Sequence, residues 1–296
     1  MSDVVPIPSD LAQPQEGPQE GRGVVAALLG QPVTAGALGC LLLLAGIAVF
    51  APWIAPYDPL TQSVLNANLQ PSMAHLLGTD QFGRDVLSRI IFGARSSLLL
   101  GVISPFIAAV AGSILGVTAG YFGGLVDRIA GRLIDLLLAF PALLLGILIA
   151  AALGPGFWEL VAALAVSFAP RFARIARAST LSVRTEPFIE AAVASGVRHP
   201  RIIVRHVVPN VAGPIVVVLT LWVATAIRLE ATLSFLGLGT QAPQPSWGNI
   251  IRDGLNNLFG SAWPIVSAGL AITITVLAFN LVGDAVRDAL DPELRE

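Results

Sequence analysis

Along the chain, long apolar stretches alternate with short polar segments, and the polar segments carry most of the arginines. Stretches long enough to cross about 30 Å of hydrocarbon occur at 34–55, 96–120, 133–153, 158–177, 209–233 and 263–283. Backbone groups in lipid must be satisfied within their own segment, so each stretch reads as a helix. The pattern predicts an all-α polytopic membrane protein with six transmembrane helices. Residues 1–31, rich in Pro, Gln, Glu and Gly, lack a small-residue cleavage pattern and read as a disordered tail ahead of a retained first helix.

Composition agrees: 55% of residues are hydrophobic and only 12% charged, about half the charged share of an ordinary soluble domain. Six spans put both termini on one side. Arg22, Arg128, Arg132, Arg174, Arg177, Arg184, Arg198, Arg201, Arg205, Arg287 and Arg295 fall on that side, against Arg84, Arg89, Arg95 and Arg252 opposite. The positive-inside bias therefore predicts cytoplasmic termini. A net charge of −2 gives no support for nucleic-acid binding. The single Cys40 excludes a disulfide framework or a Cys-based metal site within the chain.

The segment 185–209 interrupts the apolar pattern on the cytoplasmic side. Thr185 is placed to N-cap a helix, Glu186 and Pro187 suit its first turn, and Gly196 suits its end. Pro200 opens a second helix that Pro209 is expected to end. Ile189, Ala192, Val193 and Gly196 fall on one face, and small Ala191 and Ala192 permit close approach of a partner. On this pattern alone an amphipathic helix lying on lipid is an equal reading.

Glu190, Ala191, Ala192, then Gly196, then Val208 and Pro209, is a run that resembles the EAA motif of bacterial ABC importer permeases. His206 and Val208 stand where the general family has Ile and Leu. The variant Arg205-His206-Val207-Val208-Pro209-Asn210 is similar to the oligopeptide and dipeptide branch, as are residues 78–89 (GTDQFGRDVLSR), 135–141 (DLLLAFP) and 283–292 (GDAVRDALDP). Together these segments resemble a DppC/OppC-type subunit. The resemblance implies a type I ABC importer permease fold in a bacterial inner membrane, importing peptides, with nickel chelates or another small solute as alternative cargo. It divides the chain into the tail at 1–31, a first helix and external segment at 32–95, a permease core at 96–284 and a cytoplasmic tail at 285–296. Expected partners are a homologous second permease, two cytoplasmic ATPase subunits and an extracytoplasmic substrate-binding protein. By the same resemblance Glu190, Ala191, Ala192, Gly196, Arg205, His206 and Pro209 couple to the ATPases. A chain without lysine has no Walker A motif, so ATP and Mg are expected on those partners and no cofactor on this chain. An ion-gradient-driven transporter and a non-transporting scaffold are the readings from other classes.

The remaining polar positions divide between structure and contact. Asp80, Arg84 and Asp85 read as a salt-bridged turn, with Asp85 and Arg89 at i, i+4. Asp135 is expected to pair within its own cluster with Arg132, Asp127 and Arg128 rather than relay protons. Pro141 is expected to kink its span, and Asp284 belongs to the C-terminal signature. Arg171, Arg174 and Arg177 recur at the end of a span and read as snorkelling side chains. Arg228 and Glu230 are either anchors or lining of a translocation path. In the long loop 234–262, Trp247, Asn249 and Asp253 are candidate contacts for the binding protein or substrate, with an interfacial anchor as the alternative for the tryptophan.

Overall fold

In a computed structural model, which describes residues 31–290, the chain is a bundle of helices, and among the described residues β pairing is limited to a single bridge between Thr79 and Asp85. The tail at 1–30, and with it Arg22, lies outside the described residues, as do Arg295 and the last residues of the 283–292 signature. The helices are α1 (Pro32–Val49), α2 (Ala51–Ile54), α3 (Val86–Phe122), α4 (Gly124–Leu138), α5 (Ala142–Leu153) and α6 (Phe157–Arg184). After these come α7 (Pro187–Ala194), α8 (His199–Ile202), α9 (Val208–Phe235), α10 (Trp247–Leu255) and α11 (Trp263–Leu290).

Long α3 organises the bundle. Its 37 residues span about 55 Å, beginning ten residues before the apolar stretch predicted from the sequence. The early start follows from Asp85, which N-caps the helix by accepting from the Ser88 amide at 2.8 Å. Gly112, Gly116 and Gly120 recur every fourth residue and face α6. A Cβ at Gly112 would sit 2.4 Å from the Ala169 carbonyl oxygen, and one at Gly116 2.2 Å from that of Ala173. Only glycine lets the two backbones approach so closely, the small-residue packing used by helices in lipid. Phe168, Phe172, Leu160 and Leu164 of α6 are fully buried against Leu100 and Ala108 of α3 and Leu233 of α9, and form the central core.

Among the described residues, four helical stretches are long and apolar enough to cross a membrane: Pro32–Val49, Val86–Phe122, His199–Phe235 and Trp263–Leu290. A fifth is made by α4 and α5 if they count as one span, but they meet at 93°. Here the expected span 133–153 is broken at Pro141 rather than continuous. Pro141 does more than kink the helix: it stands at the N-cap of α5 with ψ 133, extended rather than helical, and the chain turns sharply there. The stretch read as a fourth span is the longer helix α6, whose second half carries Arg171, Arg174, Arg177 and Arg184.

Candidate functional site

At the end of the bundle where α3 finishes, residues 185–209 fold as helix, glycine turn, helix. The cap differs from the sequence expectation: Thr185 Oγ1 donates back to the Ser182 carbonyl at 2.8 Å. Glu186 holds the N-cap position with extended backbone, and Pro187 begins α7, where its missing N–H costs nothing. The helix closes in a Schellman motif. The Val197 amide donates to Ala192 at 3.2 Å and the Gly196 amide to Val193 at 3.0 Å, with Gly196 at φ +76°. Glycine is needed there for its backbone, since a Cβ would meet no atom within 4 Å.

Ile189 is the inward anchor. It is buried with Ile202, Val207 and Val211 against Val117 and Tyr121 of α3 and Ala176 of α6. Burying each such aliphatic side chain is worth about 1.5–3 kcal/mol. The Tyr121 hydroxyl also lies 2.9 Å from His199 Nδ1, tying the end of α3 to α8. Glu190, Ala191 and Gly196 are exposed, whereas Ala192 is half-buried. Phe188, Val193, Val204 and Val208 are exposed too, so an apolar face is offered outward. Val193 therefore departs from the face it was expected to share with Ile189. Beside it Glu190 lines a cleft of ≈ 630 Å³ with Tyr121, Arg184 and His199.

Pro209 does not end a helix. His199–Ile202 runs through a π turn at Ile203–Val207 straight into α9. The wider turn lets the Val208 amide reach the Ile203 carbonyl five residues back, and so absorbs the missing amide donor of Pro209. Exposed Arg205 and half-buried His206 lie on that turn, and the Asn210 side chain donates to the His206 carbonyl at 2.6 Å. The segment is thus a short lever, braced on α3 and α6 and continuous with a membrane-length helix.

Two interhelical ion pairs flank this end. Asp127 holds Arg177 through both nitrogens of its fork, and Asp135 accepts from Arg174 at 2.6 Å. The expected pairing of Asp135 with Arg132 is replaced because α6 brings Arg174 alongside α4. Both partners are largely exposed, and such pairs contribute little. Arg171 sits over the Trp222 ring at 4.6 Å. Asp284 is exposed on α11.

The far end holds a buried charge network. Asp80 accepts from Arg84 Nε at 2.7 Å, from Arg89 Nη1, and from the amides of Phe82 at 2.9 Å and Arg84 at 3.0 Å. Asp253 approaches both arginines at 3.3 Å. Asp85 and Arg89 do not pair: Asp85, outside the helix as its cap, turns to Ser88 and to His75 Nδ1 at 2.9 Å.

The loop residues singled out as external contacts face inward in this conformation. Trp247 is 1% exposed; its indole N–H donates to the Ile90 carbonyl at 3.1 Å and its amide to Ser97 Oγ at 3.2 Å. Asn249, 2% exposed, completes a capping box with Ser246. Asp253 is committed to the arginines. Sequence reasoning missed the company Glu230 keeps: the residue is fully buried, with Ser234 Oγ 2.7 Å from Oε1, and so is not a terminal anchor. Arg228 is exposed and donates to Thr225 Oγ1 at 3.3 Å.

Comparison with known proteins agrees with this geometry. Residues 112–296 match the family model described as binding-protein-dependent transport system inner membrane component, and residues 24–71 match the N-terminal TM domain of oligopeptide transport permease C. The glutathione transport system permease protein GsiD of Escherichia coli O1:K1 is 44% identical over 256 residues, covering 86% of this chain and 84% of the relative. The dipeptide transport system permease protein DppC of Alkalihalophilus pseudofirmus is 42% identical over 249 residues, 84% and 82% of the two chains. A chain of the inward-facing MetNI methionine ABC transporter superposes with a TM-score of 0.56 at 20% identity, over 69% of this chain and 97% of that one; it supports the fold. The lever, the membrane-length helices and these matches together make the chain a member of the binding-protein-dependent transport system inner membrane components, in the oligopeptide permease C branch.

Proposed function

We propose that the chain is one of two homologous permease subunits of an ATP-driven importer of short peptides, with six membrane crossings and both termini in the cytoplasm. The sixth crossing in this reading is α6, whose arginines cluster toward the cytoplasmic end beside α4. The carrying observation is the lever at 185–209: a capped helix with an exposed apolar face, rigidly continuous with a helix of membrane length. ATP-driven movement of a partner reaches a transport pathway only through contacts that differ between two states. A floppy loop would dissipate such movement.

In this reading two cytoplasmic ATPase subunits supply ATP and Mg, and each permease seats its lever in a groove of one of them. Phe188, Val193 and Val204 fill the groove, with Glu190, Ala191 and Ala192 at the closest approach and Arg205 and His206 at its edge. Gly196 fixes the angle at which the helix is presented. An extracytoplasmic binding protein delivers cargo at the far end. Peptide cargo rests on the relatives named for dipeptide and glutathione transport.

Reconstitution with the second permease, the ATPases and the binding protein tests this reading. Glu190→Lys puts a reversed charge at the apolar face and should lower ATP-dependent uptake of labelled di- to hexapeptides by at least about tenfold, with loss of ATPase subunits from the complex. Undiminished uptake with intact assembly would sink the coupling role, and uptake of no peptide by the wild-type complex would sink the cargo.

A further inference from the structure

The helix that begins at the lever ends in a tightly built junction at the other side of the bundle. The 37 residues from His199 to Phe235 span about 55 Å, enough to carry a displacement across the bilayer. At Gly237, φ +86°, the chain turns back, with the Gly237 amide on Ser234 at 3.0 Å and the Leu238 amide on Leu233 at 2.9 Å. It then lays the first turn of α10 between α3 and α9. Contact there is at backbone distance: a Cβ on Gly248 would sit 2.4 Å from the Ala231 carbonyl oxygen and 2.7 Å from Ser234 Cβ. On the other side Gly93 of α3 leaves room for the Trp247 ring.

Glu230 lies in the middle of this junction, fully buried. The Ser234 hydroxyl of α9 donates to its carboxyl at 2.7 Å, and Gly248 of α10 packs directly against that serine. Around it, Ser97 of α3 accepts the Trp247 amide, and Ser246, the N-cap of α10, accepts the Asn249 amide. Oε2 has no partner within hydrogen-bond geometry. A carboxyl buried without a cation is costly unless its surroundings hold it by directed bonds. The Glu230–Ser234 bond fixes the serine against which Gly248 packs, and so gives α10 a single seat on α9.

We propose that Glu230 is a positioning residue that fastens α10 to the outer end of α9, so that a displacement of the 185–209 lever arrives at the far side as movement of α10. The proposal rests on the coupling role assigned above to the lever. It makes α10 the element through which the cytoplasmic event changes the outer face of the subunit.

The test uses the full reconstituted complex in a Cys40→Ser background. Spin labels are placed at exposed Val216 of α9 and Leu255 of α10. With Glu230 in place the pair gives one narrow distance both without nucleotide and with ATP trapped. Glu230→Ala broadens it or adds a second distance and lowers peptide uptake at least tenfold, while the ATPase subunits still co-purify. Glu230→Gln, which keeps volume and hydrogen bonding, restores the narrow distance and most of the uptake; a merely bulky role would not separate Gln from a Met control. Gly248→Ala unseats α10 without touching the carboxyl and reproduces the Ala phenotype, which serves if Glu230→Ala fails to assemble. Wild-type uptake and an unchanged distance in Glu230→Ala, or a Met variant as good as Gln, would overturn the fastener. If Glu190→Lys abolishes uptake while Glu230→Ala does not, only the fastener is wrong; if Glu190→Lys transports normally, the lever itself is.

Discussion

Replacing Asp80 by Asn removes one charge and almost no volume, and the structure sets what that should cost. Asp80 is the shared acceptor of Arg84 and Arg89, which are 4% and 3% exposed. Without it, two buried guanidiniums are left to Asp253 alone, at 3.3 Å from each and 21% exposed. Removing one partner of a buried pair costs about 3–5 kcal/mol, because the surviving charge is stranded away from water. Asp253→Asn removes only the longer, wetter contacts and should cost about 1 kcal/mol. At about 2–4 °C per kcal/mol for a chain of this order, Asp80→Asn should lower the thermal midpoint of the detergent-purified protein by on the order of 10 °C, and Asp253→Asn by a few degrees. The larger shift should persist in about 1 M salt, since a buried network is poorly screened. Equal shifts for the two variants, or an Asp80→Asn shift that disappears in salt, would refute the argument that burial makes Asp80 the keystone.

Other perturbations separate backbone effects from packing. Gly116→Ala presses a methyl to 2.2 Å from the Ala173 oxygen and should destabilise by about 1–3 kcal/mol, whereas Gly131→Ala on α4, with nothing within 4 Å, should gain roughly 0.5–1 kcal/mol; paired thermal midpoints that move in the same direction would count against this. Gly196→Ala has free space but a φ of +76°, costing about 1–2 kcal/mol. Hydrogen exchange at the Val197 amide, which closes the motif, should then quicken roughly tenfold, and an unchanged rate would show that the left-handed turn is not what holds the lever.

Where signals are local, the sequence was readable. Pro187, Gly196 and Pro200 punctuate the 185–209 segment through their own backbone preferences, and the structure places helix, turn and helix accordingly. What escaped depends on distant neighbours. Asp135 finds Arg174 thirty-nine residues away, and Asp253 finds Arg89 across 164; i, i+4 spacing carries no information about either. Asp85 failed to pair with Arg89 for the opposite reason, since a capping side chain is spent on its own helix. Pro209 looked like a terminator because a proline breaks an ordinary α ladder, and the π turn that absorbs it has no sequence signal of its own. Trp247 and Glu230 could be placed only by seeing what α3 and α9 enclose.

The glycine row on α3 bears on where this subunit can bend. Backbones in direct contact along Gly112, Gly116 and Gly120 cannot rotate past one another without collision. Helices α3 and α6 therefore behave as a chassis, a part that is carried but not deformed. Displacement between helices is left to the parts hung upon it, among them α4 and α5, which meet at 93°.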